Sequence, residues 1–213
     1  MMRRLSRLDA VLAVVDQVLR PDRTCDPEPC SPDGSQLVAQ EALTPEERRC
    51  SARLLRVDHA GEVCAQGLYH GQVLLARDAA WREALLAAAR GEQRHLAWCA
   101  QRLHQLSSSP SVLAPFWYGS SVILGAVVGV LGDGPSKAFL RETEDQVVDH
   151  LEGHLQRLPA RDVVSRHLLQ RMAREEAEHS ATAARFGGSK PPWGVRLAMW
   201  GMARLMTTST ARL

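Results

Sequence analysis

Aromatic side chains are scarce, with three Phe, two Tyr and five Trp in 213 residues. Few stretches alternate polar and apolar residues with a period of two, which argues against strands, so the sequence reads as all-α. Net charge is nearly absent at +2, and no nucleic-acid partner is expected from it. The cysteines Cys25, Cys30, Cys50, Cys64 and Cys99 form no CxxC pair, and their odd number fits reduced thiols in a cytosolic compartment. A glycine-rich nicotinamide loop is also missing. The first twenty residues hold two Asp and no clear cleavage site, so no secretory signal is expected there. Acidic residues stop at Glu178, which leaves Arg185, Lys190, Arg196, Arg204 and Arg212 as a basic tail. Between Gln105 and Gly132 there is no charged residue at all.

What is present is helical periodicity in a chain the size of one domain. Residues 1–43 read as an N-terminal amphipathic helix, Arg4 to Leu19, and a Pro-rich linker in which Cys25 and Cys30 are incidental. Residues 44–213 read as the helical domain. Thr44-Pro45-Glu46-Glu47 is a helix start with a capping box. The first long helix runs to about Ala76, and Asp78 caps a second that ends near Leu106. A third runs from about Pro135 to Leu158, and a fourth from Arg161 to Phe186, stopped by Gly187-Gly188. Pro191 and Pro192 open a last segment, Trp193 to Met206.

Each long helix carries a misfit on its apolar stripe. In the fourth, Leu169, Met172, Glu176, His179, Ala183 and Phe186 share one side. The second has Leu85, Ala88, Glu92, His95, Cys99 and Leu103. The first places Glu62 among Leu55, Asp58, Ala65, Tyr69 and Val73, and the third places Glu144 between Leu140 and Val147. Glu142, Gln146 and Asp149 are expected to point away. Buried carboxylates cost several kcal/mol unless neutralised. The order is a lone Glu, a Glu-x-x-His, a lone Glu and a second Glu-x-x-His. Glu62 precedes Glu92 by thirty residues and Glu144 precedes Glu176 by thirty-two, an internal repeat of helical hairpins. Four carboxylates and two neutral imidazoles balance two divalent ions, and a carboxylate-rich set suits iron or manganese. Asp58, His150 and Glu178 are candidates to orient the imidazoles, with His154 a further one. His59, His70, His104 and His167 read as surface or rim residues.

Val112 to Leu131 is long enough to suggest a transmembrane helix. A span there would put Glu62, Glu92 and His95 on one side of a bilayer and Glu144, Glu176 and His179 on the other. The segment therefore reads as a crossover along the bundle, its apolar surface facing lipid or another subunit.

Arg56-Val57-Asp58-His59-Ala60-Gly61-Glu62, followed by Glu92-x-x-His95, Glu144 and Glu176-x-x-His179, resembles the demethoxyubiquinone hydroxylase family of ubiquinone biosynthesis. The resemblance covers about Leu43 to Phe186 and departs from the family pattern at the linker and at Cys64-Ala65-Gln66-Gly67. It implies a ferritin-like four-helix bundle with a crossover helix and extra terminal helices. It also implies a di-iron monooxygenase that hydroxylates the ring of a polyprenyl benzoquinone with O2 and reducing equivalents from NADH. Glu62, Glu92, His95, Glu144, Glu176 and His179 would be the iron ligands. The expected location is the cytoplasmic side of the inner cell membrane, peripheral to one leaflet, in a biosynthetic complex or homo-oligomer. The alternative is an iron-storage or peroxide-scavenging protein of the ferritin or rubrerythrin type, which shares the ligands but needs no lipid-facing surface.

Overall fold

The computed structural model describes residues 43–211. The expected N-terminal helix, linker, Cys25 and Cys30 lie outside the described residues. Six helices and no strand occur among those described: α1 (Pro45–Val73), α2 (Ala79–Gln105), α3 (Ala114–Val130), α4 (Asp133–Arg157), α5 (Val163–Arg185) and α6 (Trp193–Thr210). The fold is all-α, a ferritin-like bundle in which α1 and α2 form one hairpin, α4 and α5 the other, and α3 crosses between them.

The helix starts follow local chemistry. The Thr44 side chain accepts from Glu47 N and the Glu47 carboxylate accepts from Thr44 N, so two otherwise orphaned donors at the start of α1 are satisfied. Asp78 caps α2 by accepting from Ala80 N and Trp81 N. Asp162 caps α5, which moves its start two residues past the expected Arg161. Gly187 ends α5 at φ 91°, a left-handed conformation that favours glycine.

Ties at both ends fix the hairpins relative to one another. The Asp133 carboxylate, in the first turn of α4, accepts from Arg77 N at 3.1 Å and Asp78 N at 2.8 Å in the α1–α2 turn. At the opposite end Arg102 of α2 makes a buried 2.6 Å ion pair with Asp162 and donates to Ser165 at 3.0 Å. Between these ends the core divides into two apolar layers. One holds Leu54, Leu55, Trp98, Leu103, Leu151, Leu169 and Met172. The other holds Tyr69, Trp81, Leu85, Leu140 and Ala183. The seam carboxylates and imidazoles fall between the two.

α3 is 17 residues long, about 25 Å at the helical rise, and lies along α1. No helix of the described residues is long and apolar enough to cross a membrane. The α1–α3 contact is close because it is made of glycines. A Cβ on Gly71 would lie 2.2 Å from Val122 O, and one on Gly125 would lie 2.3 Å from Leu68 O. α6 packs on the same side, with Met199 joining Leu68, Val128 and Phe139. It runs to Thr210, beyond the expected Met206. It also corrects the expectation for Glu142, which is buried beneath it in a 2.9 Å ion pair with Arg196. His59 is likewise buried rather than at the rim, and burial lowers its pKa to about 4.

Candidate metal centre

The six seam residues converge at mid-bundle. Glu62, Glu92, His95, Glu144 and Glu176 are each no more than 2% exposed, and the His179 side chain is 20% exposed. Their donor atoms form two overlapping groups, Glu62, Glu92, His95 and Glu176 in one, and Glu92, Glu144, Glu176 and His179 in the other. Within each group the atoms lie within 4.8 Å of one another. Glu92 and Glu176 belong to both, so each is placed to bridge two ions. Each ion would take a lone Glu and an imidazole from one hairpin, with the bridging carboxylates supplied by both.

The imidazoles present Nδ1 to the carboxylates. His95 Nδ1 is 2.8 Å from Glu176 and 3.5 Å from both Glu62 and Glu92. His179 Nδ1 is 2.9 Å from Glu176 and 3.2 Å from Glu92. His95 turns its other nitrogen outward, 3.0 Å from Glu175. Arg94 at 3.2 Å and Arg171 at 3.0 Å hold Glu175 there, and Arg171 also lies over the Trp98 ring. The far side of the His179 ring rests on α2, where a Cβ on Gly91 would lie 3.2 Å from it. Tyr69 donates to Glu144 Oε1 at 2.5 Å, which leaves Oε2 without a hydrogen-bond partner.

The electrostatics are those of a crowded cluster that cations could neutralise. Burial and the neighbouring Glu92 push Glu62 well above the usual carboxylate range, and burial with Glu176 and Glu92 does the same to Glu144. Burial opposes ionisation of His95, yet Glu175, Glu176, Glu62 and Glu92 together raise its pKa well above the imidazole value. For His179 burial is likewise outweighed by Glu176 and Glu92, which lift it to about 11. Both oxygens of Glu92, Nδ1 of His95, Oε2 of Glu144 and Oε1 of Glu176 are buried without an aligned hydrogen bond. Orphaned polar atoms of this kind are costly unless a partner takes them, and the residues present fit a di-metal group.

Of the residues expected to orient imidazoles, Glu178 is exposed, and its backbone oxygen accepts from Thr182. Glu175, absent from the sequence reading, holds His95 instead. Asp58 and His150 do not join the six; they meet each other and His154.

Residues 49–210 match the family described as Ubiquinone biosynthesis protein COQ7. The chain belongs to this family. It is 45% identical over 209 residues to a 3-demethoxyubiquinol 3-hydroxylase of Nitrosococcus oceani, covering 96% of each chain. It is 49% identical over 171 residues to the enzyme of that name in Ralstonia pickettii, covering 80% of this chain and 79% of the relative. With that of Francisella philomiragia it shares 42% over 212 residues, 99% of this chain and 100% of the relative. COQ7 membership agrees with the resemblance carried by the Arg56–Glu62 stretch and does not favour a ferritin- or rubrerythrin-type role.

Proposed function

We propose that this chain hydroxylates the ring of demethoxyubiquinol in ubiquinone biosynthesis, as an O2-dependent di-iron monooxygenase that draws reducing equivalents from NADH. The observation that carries the reading is the convergence of four carboxylates and two imidazoles between two apolar layers, in a chain whose relatives are named for this reaction. Two irons bound there would supply the activation of O2. The protein's own residues set the conditions. Glu92 and Glu176 fix the spacing of the two positions, and Glu62 and Glu144 close the outer sides. Glu175 fixes the tautomer of His95 by accepting from Nε2, so that Nδ1 offers its lone pair inward. Tyr69 occupies one oxygen of Glu144 and keeps the other turned to the centre. Above and below, the Leu and Trp layers keep water from the reacting positions.

The substrate's polyprenyl tail calls for a lipid neighbour. Phe116, Ile123, Val127 and Val130 of α3 and Trp193, Leu197, Trp200 and Leu205 of α6 are exposed, with Arg204 lying over the Trp200 ring at 5.5 Å. Tryptophan and arginine beside aliphatic side chains suit the headgroup boundary of an anionic leaflet. We place the protein peripherally on the cytoplasmic face of the cell membrane, α3 and α6 against lipid.

The test combines metal content with a quinone profile. The purified protein should hold two irons per chain, and Glu144→Ala should lose both while its helices persist. Cells lacking the protein should accumulate the demethoxy quinone, and wild-type protein but not Glu144→Ala should restore ubiquinone. An iron-replete Glu144→Ala variant would sink the ligand assignment. A normal quinone profile with impaired iron or peroxide tolerance would turn the reading to the storage or scavenging alternative.

A further inference from the structure

Apart from the six-residue centre, one group of described side chains has a comparable make-up. Asp58 of α1 faces His150 and His154 of α4, with Asp58 Oδ1 2.7 Å from His154 Nδ1 and 3.5 Å from His150 Nε2. One donor atom from each of the three lies within 4.8 Å of the others. Asp58 and His154 are 2% and 3% exposed, whereas a third of the His150 side chain is open to solvent. The two histidines are four residues apart on one face of α4, their ring centroids 4.0 Å apart.

An Asp flanked by two histidines is most simply a hydrogen-bonded cluster, and against burial His154 and His150 do lower the Asp58 pKa, but the atoms are poorly aligned for hydrogen bonds. Both oxygens of Asp58, Nε2 of His150 and Nδ1 of His154 are buried, and none makes an aligned hydrogen bond. Close approach without alignment is what Glu92, His95 and Glu176 display at the di-metal centre. The Asp58–His150 spacing fits as well, while Asp58 and His154 stand closer than two donors of one tetrahedral ion. Donors about 2.1 Å from a tetrahedral ion stand about 3.4 Å apart, near the 3.5 Å of Asp58 and His150. The 2.7 Å of Asp58 and His154 resembles the 2.8 Å of His95 and Glu176.

We propose that Asp58, His150 and His154 form a separate mononuclear site for a divalent first-row transition ion. Two neutral imidazoles and one carboxylate are a donor set used for Zn2+ and, with open positions, for Fe2+. Water completes the coordination, and the exposed edge of His150 is the way in, so the ion is exchangeable. The site joins α1 to α4 one helical turn before Glu62 and supplies no donor to the di-metal centre. It goes beyond the proposed hydroxylase activity and stands or falls independently of it.

The experiment is equilibrium dialysis of the metal-stripped full chain against Zn2+, and separately Co2+, with the bound metal counted per chain. Wild-type protein is expected to bind one equivalent more than His150→Ala and one more than His154→Ala. The cobalt absorption of the variants should fall by the matching share. Asp58→Asn keeps the side-chain shape and should weaken the same equivalent, while replacing the exposed His104 by Ala should change nothing. Circular dichroism establishes that the variants are folded, and His150→Ala, at a partly exposed position, serves if His154→Ala is not. Equal metal counts in wild-type and the folded variants overturn the proposal, whatever the loading of the main centre. If the extra equivalent is lost but no irons bind at Glu144 and its neighbours, the hydroxylase reading fails and this one stands.

Discussion

Glu175 does its work through His95. Its carboxylate accepts from His95 Nε2, and the histidine together with Arg171 and Arg94 draws the Glu175 pKa down to about 2. Removing such a partner typically weakens metal binding 10–100-fold. Glu175→Ala is expected to raise the metal dissociation constant by about that factor, measured by competition with a chelator. Glu175→Gln, whose amide oxygen still accepts, should recover part of the loss. Protons give a second prediction. His95 and His179 have raised pKa values, which favours their protonated forms in the metal-free protein. A metal ion must displace those protons from Nδ1, so uptake should release protons and tighten as pH rises. The sign for stability is the opposite. The imidazolium–carboxylate contacts stabilise the metal-free chain fully below the ordinary imidazole value and fade as pH climbs toward about 11, where His179 deprotonates. Calorimetric titration in two buffers of different ionisation enthalpy measures the release, and proton-neutral uptake would remove these nitrogens from the ligand set.

At the level of elements, the α1–α3 crossing depends on missing side chains. Gly71→Ala would drive a methyl group into the backbone of α3, an overpacking that costs about 1–3 kcal/mol. A Cβ on Gly61, in the same helix, meets nothing within 4 Å. Gly61→Ala should instead stabilise by about 0.5–1 kcal/mol, because alanine favours the helix. Denaturation midpoints moving in opposite directions would establish the contact, and a Gly71→Ala protein as stable as wild type would exclude it. The same crossing explains what was legible beforehand. Periodicity locates one apolar stripe per helix, and those stripes carried Glu62, Glu92, His95, Glu144, Glu176 and His179. It assumes that the opposite face meets water. α1 violates that assumption, with α3 lying along it, and His59 is buried where a rim residue was expected. α4 violates it because α6 covers Glu142 and pairs it with Arg196. Glu175 escaped because it lies off the stripe and reaches sideways to α2. Glu178, an acceptor expected to orient an imidazole, instead faces solvent with its side chain.

For the whole molecule, the exposed apolar side chains of α3 and α6 form the surface whose use is most open to test. Replacing Trp193 and Trp200 by Glu should release much of the protein from vesicles containing anionic lipid, as measured by co-sedimentation. Turnover should slow far more on a long-tailed quinone than on a short-tailed soluble analogue. A double variant that stays bound and slows equally on both would show that α6 serves packing and would remove this account of substrate entry. Met199 and the Arg196–Glu142 pair are left intact by these changes, so α6 should stay docked on α1 and α4.

Because each hairpin holds only part of the donor set, the order of synthesis matters. A ribosome adding about 5–20 residues per second needs roughly 4–17 s to travel from His95 to His179, eighty-four positions later. Until Glu176 is added near the end of that interval, the nascent chain has Glu62, Glu92 and His95 but neither the second bridging carboxylate nor the second imidazole. It cannot close a two-ion cage around a passing cation, and an ion held by the first hairpin alone remains open to exchange. Loading of a two-ion centre would therefore have to wait until both hairpins have been made.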